Sequence, residues 1–176
     1  DDAAPVPEGL VVDVGCSVGR TSLELAAATG AMVLGLDVNL SMLQLARRAA
    51  RGEVRYSLRE GGLVYEQRRY PVSFPDAPRV DFWAADATCL PLRSKSAALM
   101  SSLNLLDCLP QPYSHLTELA RISTDGGRVV LGCPYDWSAA ATEAAHWIGG
   151  HSQRSLRGGD SAATLRALLT LSLIHI

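Results

Sequence analysis

The stretch Val11-Val12-Asp13-Val14-Gly15-Cys16-Ser17-Val18-Gly19-Arg20 constrains the fold more than any other part of the chain. Leu10–Val14 is a short β-branched apolar run closed by Gly15, the pattern of a buried strand. Thr21–Thr29 is rich in Ala and Leu and stops at Gly30, which reads as a helix with a glycine C-cap. Between them, small residues at 15, 17 and 19 let the backbone approach a ligand, and the helix N-terminus behind them favours negative charge. Many nucleotide-binding folds use such a turn, and a turn that needs glycine only for its own conformation reads the same way.

The strand-to-helix rhythm continues. Met32–Val38 is a second apolar run, followed by a helix over Ser41–Arg51 with Ser41 as its N-cap. Leu43, Ala46 and Ala50 share one face of that helix, and its arginines cluster near the C-terminus, where the dipole favours them. Val80–Ala85 and Ala97–Leu103 read as the third and fourth strands, Tyr113–Ile122 as a helix, and Arg128–Cys133 as a fifth strand after the turn Asp125-Gly126-Gly127. This predicts an α/β fold with a doubly wound, mostly parallel sheet. Glu53–Phe74 interrupts the rhythm: Val54–Leu58 and Leu63–Tyr70 flank Glu60-Gly61-Gly62, so a β-hairpin insertion is expected over 53–74, with Pro71, Pro75 and Pro78 stiffening the exit. Pro134–Gly159 is long, irregular and rich in Trp, His and Gly; a last helix, Ser161–Thr170, takes Asp160 or Ser161 as its cap.

Composition narrows the class. The 176 residues suffice for one core, and 48% apolar with 19% charged residues fits a globular chain. A net charge of −2 offers nothing to nucleic acid or an anionic membrane, and no apolar run approaches the roughly 20 residues of a membrane span. Cys16, Cys89, Cys108 and Cys133 are widely spaced, which predicts reduced, mostly buried thiols in a cytoplasmic protein, without a metal site or disulfide framework. The chain begins at Asp1 and stops soon after its last helix starts. The expectation is one domain over 1–176, incomplete at both ends, with a non-native tail over 171–176 and no role for His175.

Three further elements sit at strand ends. Asp37, followed by Val38, closes the second strand, where a carboxylate accepts ribose hydroxyls through charge-assisted bonds worth about 1.5–3 kcal/mol each; the alternative is that Asp37 caps the next helix. Asp86 and Ala87 close the third strand, where a carboxylate accepts from an adenine amino group and the next backbone N–H reaches the ring; the alternative is a solvated aspartate. Asn104 and Asp107 follow the fourth strand. Open parallel sheets bind ligands outside such ends.

These residues, over about 8–133, resemble the class I S-adenosylmethionine (SAM) dependent methyltransferases. Asp13-x-Gly15-x-Ser17-x-Gly19 is similar to their first motif, Asp37 to the ribose acid, and Asp86-Ala87 to the adenine contact. The resemblance implies SAM as cofactor, held by Asp13, Gly15, Cys16, Ser17, Gly19, Asp37, Val38, Asp86, Ala87 and Asn104. Ser17 departs from the family's usual glycine. A pyrophosphate needs that space, so Ser17 argues against NAD more than against SAM. A narrower resemblance, to mercaptohistidine N-methyltransferases of ovothiol biosynthesis, lies in Gly132-Cys133-Pro134-Tyr135-Asp136-Trp137, Thr142 and Trp147-Ile148-Gly149-Gly150, with Val64-Tyr65, Arg68-Arg69 and Leu106-Asp107-Cys108 in the same vein.

The expected reaction is methyl transfer to a small molecule, with an imidazole or amine nitrogen of a histidine derivative as acceptor. Residues 134–159 are expected to form a lid in which Tyr135 and Trp137 wall the acceptor, while Asp107 or Asp136 orients its ring. A SAM enzyme acting on oxygen or carbon is the second reading, and a non-catalytic nucleotide-binding or NAD-dependent module the third. Trp147 reads as a packing anchor, His146 and His151 as surface residues, His115 as structural, and Arg20 as exposed or as a partner of the SAM carboxylate. No nucleic-acid or membrane partner is expected, and the oligomeric state is not indicated.

Overall fold

In chain order the elements are β1 (Leu10–Val14), α1 (Arg20–Thr29), β2 (Val33–Asp37), α2 (Leu40–Ala50), β3 (Glu53–Gly61), β4 (Val64–Pro71), β5 (Val80–Ala84), β6 (Ala97–Leu103), α3 (Pro112–Ile122), β7 (Ser123–Gly132) and α4 (Ser161–Leu173). This is a computed structural model that describes residues 8–173; His175 and the end of the expected tail, 174–176, lie outside the described residues. Five strands form one sheet in the order β5-β2-β1-β6-β7, with every neighbouring pair parallel. The chain steps outward from β1 to β5 and then returns to lay β6 against the other side of β1. That reversal creates the switch point at which doubly wound sheets bind ligands.

The central strands β1 and β6 are buried almost throughout, as parallel strands covered on both faces must be. On one face Val12, Val14, Leu34, Leu36 and Met100 pack against Leu119 and Ile122 of α3. On the other, α1 covers Val11, Val33 and Leu99 through Ala26, while Phe82 of β5 packs against Leu23 of α1 and Leu43 and Ala46 of α2. Phe82 is 1% exposed, and a side chain of its size contributes about 1.5–3 kcal/mol by leaving water.

Several boundaries differ from expectation. The N-cap of α2 is Asn39, whose side chain accepts from Ser41 N (3.0 Å) and Met42 N (3.3 Å). Its extended backbone puts Oδ1 over the first turn, a geometry worth about 1 kcal/mol. Ala49 joins Leu43 and Ala46 on the buried face of α2, and Ala50 is only partly buried. β7 begins at Ser123, before the turn at 125–127: Ala97 pairs with Ser123 and Leu99 already with Arg128, so 124–127 bulge out with Gly126 at φ 77°. A left-handed glycine of this kind is what a bulge uses. Two of the four thiols, Cys89 and Cys108, are exposed rather than buried, and Cys133 is intermediate.

The hairpin exists as a separate antiparallel sheet of β3 and β4. It leaves the C-terminus of α2, and Val54 at its root packs on the same buried cluster as Ala50, Phe74 and Val80. Val80 opens β5, so the hairpin is rooted at the N-terminal edge of the sheet, opposite the switch point. Residues 133–160 carry two short 3₁₀ turns, Ala144–His146 and Leu156–Gly159.

Candidate cofactor and acceptor site

The turn after β1 alternates left-handed residues: Gly15 at φ 77°, Ser17 at 50° and Gly19 at 78°. Its amides point inward first, with Gly15 N and Cys16 N both donating to Leu36 O (2.8 and 3.0 Å) and Gly19 N donating to Cys16 O (2.8 Å). A Cβ on Gly19 would sit 2.6 Å from the Phe82 ring and 2.8 Å from Ala46 Cβ. Gly19 is therefore required both by its backbone and by the close seat of the turn on β5 and α2. Gly35 in β2 carries the same constraint, with Phe82 2.7 Å and Ser22 Oγ 2.8 Å from a built Cβ. Sequence reading missed this glycine, because a glycine inside a strand pattern signals close approach only in general terms.

Asp37 ties the turn to β2. Its Oδ2 accepts from Ser17 N and its Oδ1 from Asn39 N, both at 2.8 Å. Each oxygen keeps a second lone pair, and the side chain stands at the exposed end of β2 beside Val38, which is 76% exposed. The bond from Ser17 also shows how a serine holds the left-handed conformation that glycine usually supplies. Asp86, at the end of β5, accepts from Thr88 N (2.8 Å) and Thr88 Oγ1 (2.7 Å) through Oδ1. These bonds hold its carboxyl below the ordinary range. Ala87 is buried, and its carbonyl accepts from Nδ1 of His115 at 3.0 Å. That bond puts the proton on Nδ1, so Nε2 accepts from Ser102 Oγ at 2.9 Å. Burial pushes the His115 pKa down, so this histidine is a neutral strut between β6, α3 and the segment after β5.

The side chains of Asp13 and Cys16 turn inward, beneath the turn. Asp13 is 2% exposed, and its oxygens accept from Ser101 Oγ (2.5 Å) and Ser22 Oγ (2.7 Å). Desolvation raises its carboxyl despite these bonds. Asp13 thus braces β1 against β6 and α1 beneath the turn, with no lone pair directed at the surface. The Cys16 side chain points into the cluster of Leu23, Leu43 and Phe82, and burial pushes its thiol up to about 12. Only the Cys16 backbone belongs to the turn.

On the β6 side, Asn104 is exposed in a left-handed conformation (φ 53°), and its N–H donates to Gly132 O at 2.8 Å. Asp107 is 3% exposed, and its Oδ2 accepts from Asp136 N at 2.7 Å. Of the two acids expected near an acceptor, Asp107 is enclosed and engaged with the backbone. Tyr135 and Trp137 pack with Leu106, Ile148 and Leu165. Trp137 Nε1 donates to Ser161 Oγ (3.0 Å), and its ring stacks on Trp147 at 6.4 Å. These aromatics seat the segment 133–148 on α4. Asp136 remains exposed. Arg20 pairs with Glu24 at 2.7 Å on the surface of α1 and lies 5.9 Å from the Phe74 ring.

The ends of β2 and β5 place Asp37, Val38 and Asp86 along one edge of the sheet, beside the turn after β1, and the chemistry of that set, two acids and an apolar side chain, fits SAM. Arg20, exposed on α1, is paired with Glu24. Two surface concavities of about 410 and 430 Å³ lie elsewhere, one between α1 and residues 72–76, the other between the C-terminus of α2 and the start of β5. Among the described residues there is no cluster of three or more His, Cys, Asp or Glu fit for a metal, and no helix long and apolar enough to cross a membrane.

Comparison with known proteins agrees with this geometry. A family described as a methyltransferase domain matches residues 12–131. Methyltransferase GfsG of Streptomyces halstedii is 31% identical over 121 residues, covering 69% of this chain and 36% of the relative. A demethylmenaquinone methyltransferase of Clavibacter sepedonicus is 30% identical over 128 residues, 73% of this chain and 42% of its own. The chain thus spans less than half the length of these relatives. Among solved structures, a geranyl diphosphate C-methyltransferase of Streptomyces coelicolor A3(2), with S-adenosyl-L-homocysteine, superposes with TM-score 0.56 at 16% identity, over 73% of this chain and 39% of that one.

Proposed function

The chain belongs to the class I SAM-dependent methyltransferase family, and from that premise we propose that it methylates a small molecule, best matched by an imidazole or amine nitrogen of a histidine derivative. The observation that supports cofactor use is the set of Asp37, Val38 and Asp86 at the ends of adjacent strands β2 and β5, beside a turn whose shape Gly15, Ser17 and Gly19 maintain. When bound, SAM supplies a methyl group on an already activated sulfonium. The protein's part is then mainly orientation, which supplies effective molarities of about 10⁵–10⁸ M.

Asp37 takes the ribose hydroxyls on its outward lone pairs, and Asp86 takes the adenine amino group. An imidazole nitrogen has its own lone pair, so a strong base is not obligatory. Asp136, exposed at the start of the segment after β7, accepts from the ring's other nitrogen and turns the nucleophilic one toward the methyl group. The acceptor assignment rests on the resemblance carried by Gly132–Trp137 and Trp147–Gly150. A second reading, transfer to oxygen or carbon, draws on a relative 30% identical over 131 residues that is named a probable tocopherol O-methyltransferase.

Calorimetry with SAM and NAD separates the cofactor classes, and mass-spectrometric assay of a panel of histidine derivatives separates the acceptors. Asp37→Ala is expected to weaken SAM at least tenfold, about 1.4 kcal/mol or more. Unchanged affinity would remove Asp37 from the site.

A further inference from the structure

We propose that Asp107 is a positioning residue, a buried latch that fixes the segment 134–147 over the end of β6 and thereby shapes the acceptor side. This rests on the methyltransferase reading above for its purpose, though the latch itself stands on geometry. The carboxylate is 3% exposed and has two acceptor uses: Oδ2 takes the Asp136 N–H at 2.7 Å, and Oδ1 faces the Cys108 thiol at 3.9 Å. The Asp107 carbonyl and the Leu109 carbonyl share the hydroxyl of Thr142, at 3.2 and 2.7 Å. Thr142 is fully buried, and its own carbonyl accepts from Trp147 Nε1 at 2.8 Å. Ile148, also fully buried, then packs on Leu106.

The turn Leu106–Leu109 is therefore tied to the later segment at Asp136 and Thr142, and Trp147 ties back onto Thr142 within that segment. The first tie falls on the residue proposed to orient the acceptor. A carboxylate excluded from water costs free energy unless hydrogen bonds compensate it, and an irregular segment without strand partners needs such anchors for its backbone. Asp107 meets both needs, because its charge strengthens the bond it accepts.

The test is amide exchange in the whole chain, with SAH affinity measured beside it. Asp107→Ala should speed exchange at Asp136 at least tenfold and raise exchange across 134–147, while the Kd for SAH stays within twofold. Asp107→Asn keeps an acceptor oxygen and should restore near-parental exchange. Thr142→Val, close in shape, should loosen 142–147 without the volume loss of the alanine variant. Unchanged exchange at Asp136 in Asp107→Ala would overturn the latch, and so would an asparagine variant as loose as the alanine one. If the parent chain binds no SAH, the methyltransferase reading fails, and the exchange data still decide the latch.

Discussion

The two halves of the site are built by different means. The cofactor half, between β1, β2 and β5, is made of short turns directly attached to strands. Its shape comes from backbone conformation at Gly15, Ser17 and Gly19 and from packing under Phe82. The proposed acceptor half, after β6 and β7, is a long irregular segment. Its shape comes from side-chain hydrogen bonds, Asp107 to Asp136, Thr142 to Leu109 and Trp137 to Ser161. The first kind of site is rigid because little of it can move without displacing the sheet. The second can change its contents at the cost of a few hydrogen bonds, each worth about 1 kcal/mol, which suits a fold that serves many acceptors with one cofactor.

The strongest way to break this contrast is Gly19→Ala. The added Cβ would lie 2.6 Å from Phe82 in a left-handed backbone. Overpacking and backbone strain together should cost about 2–4 kcal/mol, lowering the thermal midpoint by at least about 5 °C. A midpoint within a degree or two of the parent would mean that the cofactor turn is not held by packing.

A smaller effect is expected from pH. Burial keeps His115 below its ordinary pKa of 6.5. As pH falls through that value the unfolded chain takes up a proton that the native state refuses, so stability falls. The slope contributed is at most about 1.4 kcal/mol per pH unit. Asp13 acts oppositely: its raised carboxyl protonates in the native state before the unfolded value of 3.8 is reached. Denaturant titrations around pH 6.5, with His115→Asn beside the parent, isolate the histidine by difference. His115→Asn should flatten the slope there, and an unaltered slope would show that the strut is not what titrates.

The smallest effect should come from Ser17→Gly. Relief of the left-handed conformation, about 1 kcal/mol, is offset by the greater freedom of glycine in the unfolded chain, about 0.4–1 kcal/mol. A midpoint shift of no more than about 2 °C is expected by differential scanning fluorimetry. A large loss would show that the Ser17 side chain does more than its N–H bond to Asp37 reveals.

The sequence by itself determined the α/β class, the positions of all five sheet strands to within a few residues, the hairpin and the strand-end acids. These follow from period-2 and period-3.6 patterns and from turn chemistry, which act over a few residues and leave a readable trace. Only the tertiary structure decided that Asp13 bonds Ser101 and Ser22, that Asp107 takes the Asp136 N–H, that Trp137 packs on α4, and that Gly35 makes room for Phe82. The partners involved stand 88 residues apart for Asp13 and Ser101, 29 for Asp107 and Asp136, and 24 for Trp137 and Ser161. An aspartate that closes a strand carries the same local pattern whether its carboxylate turns outward, as in Asp37, or inward, as in Asp13. What distinguishes them is which strand arrives alongside, and that depends on the folding of the whole sheet.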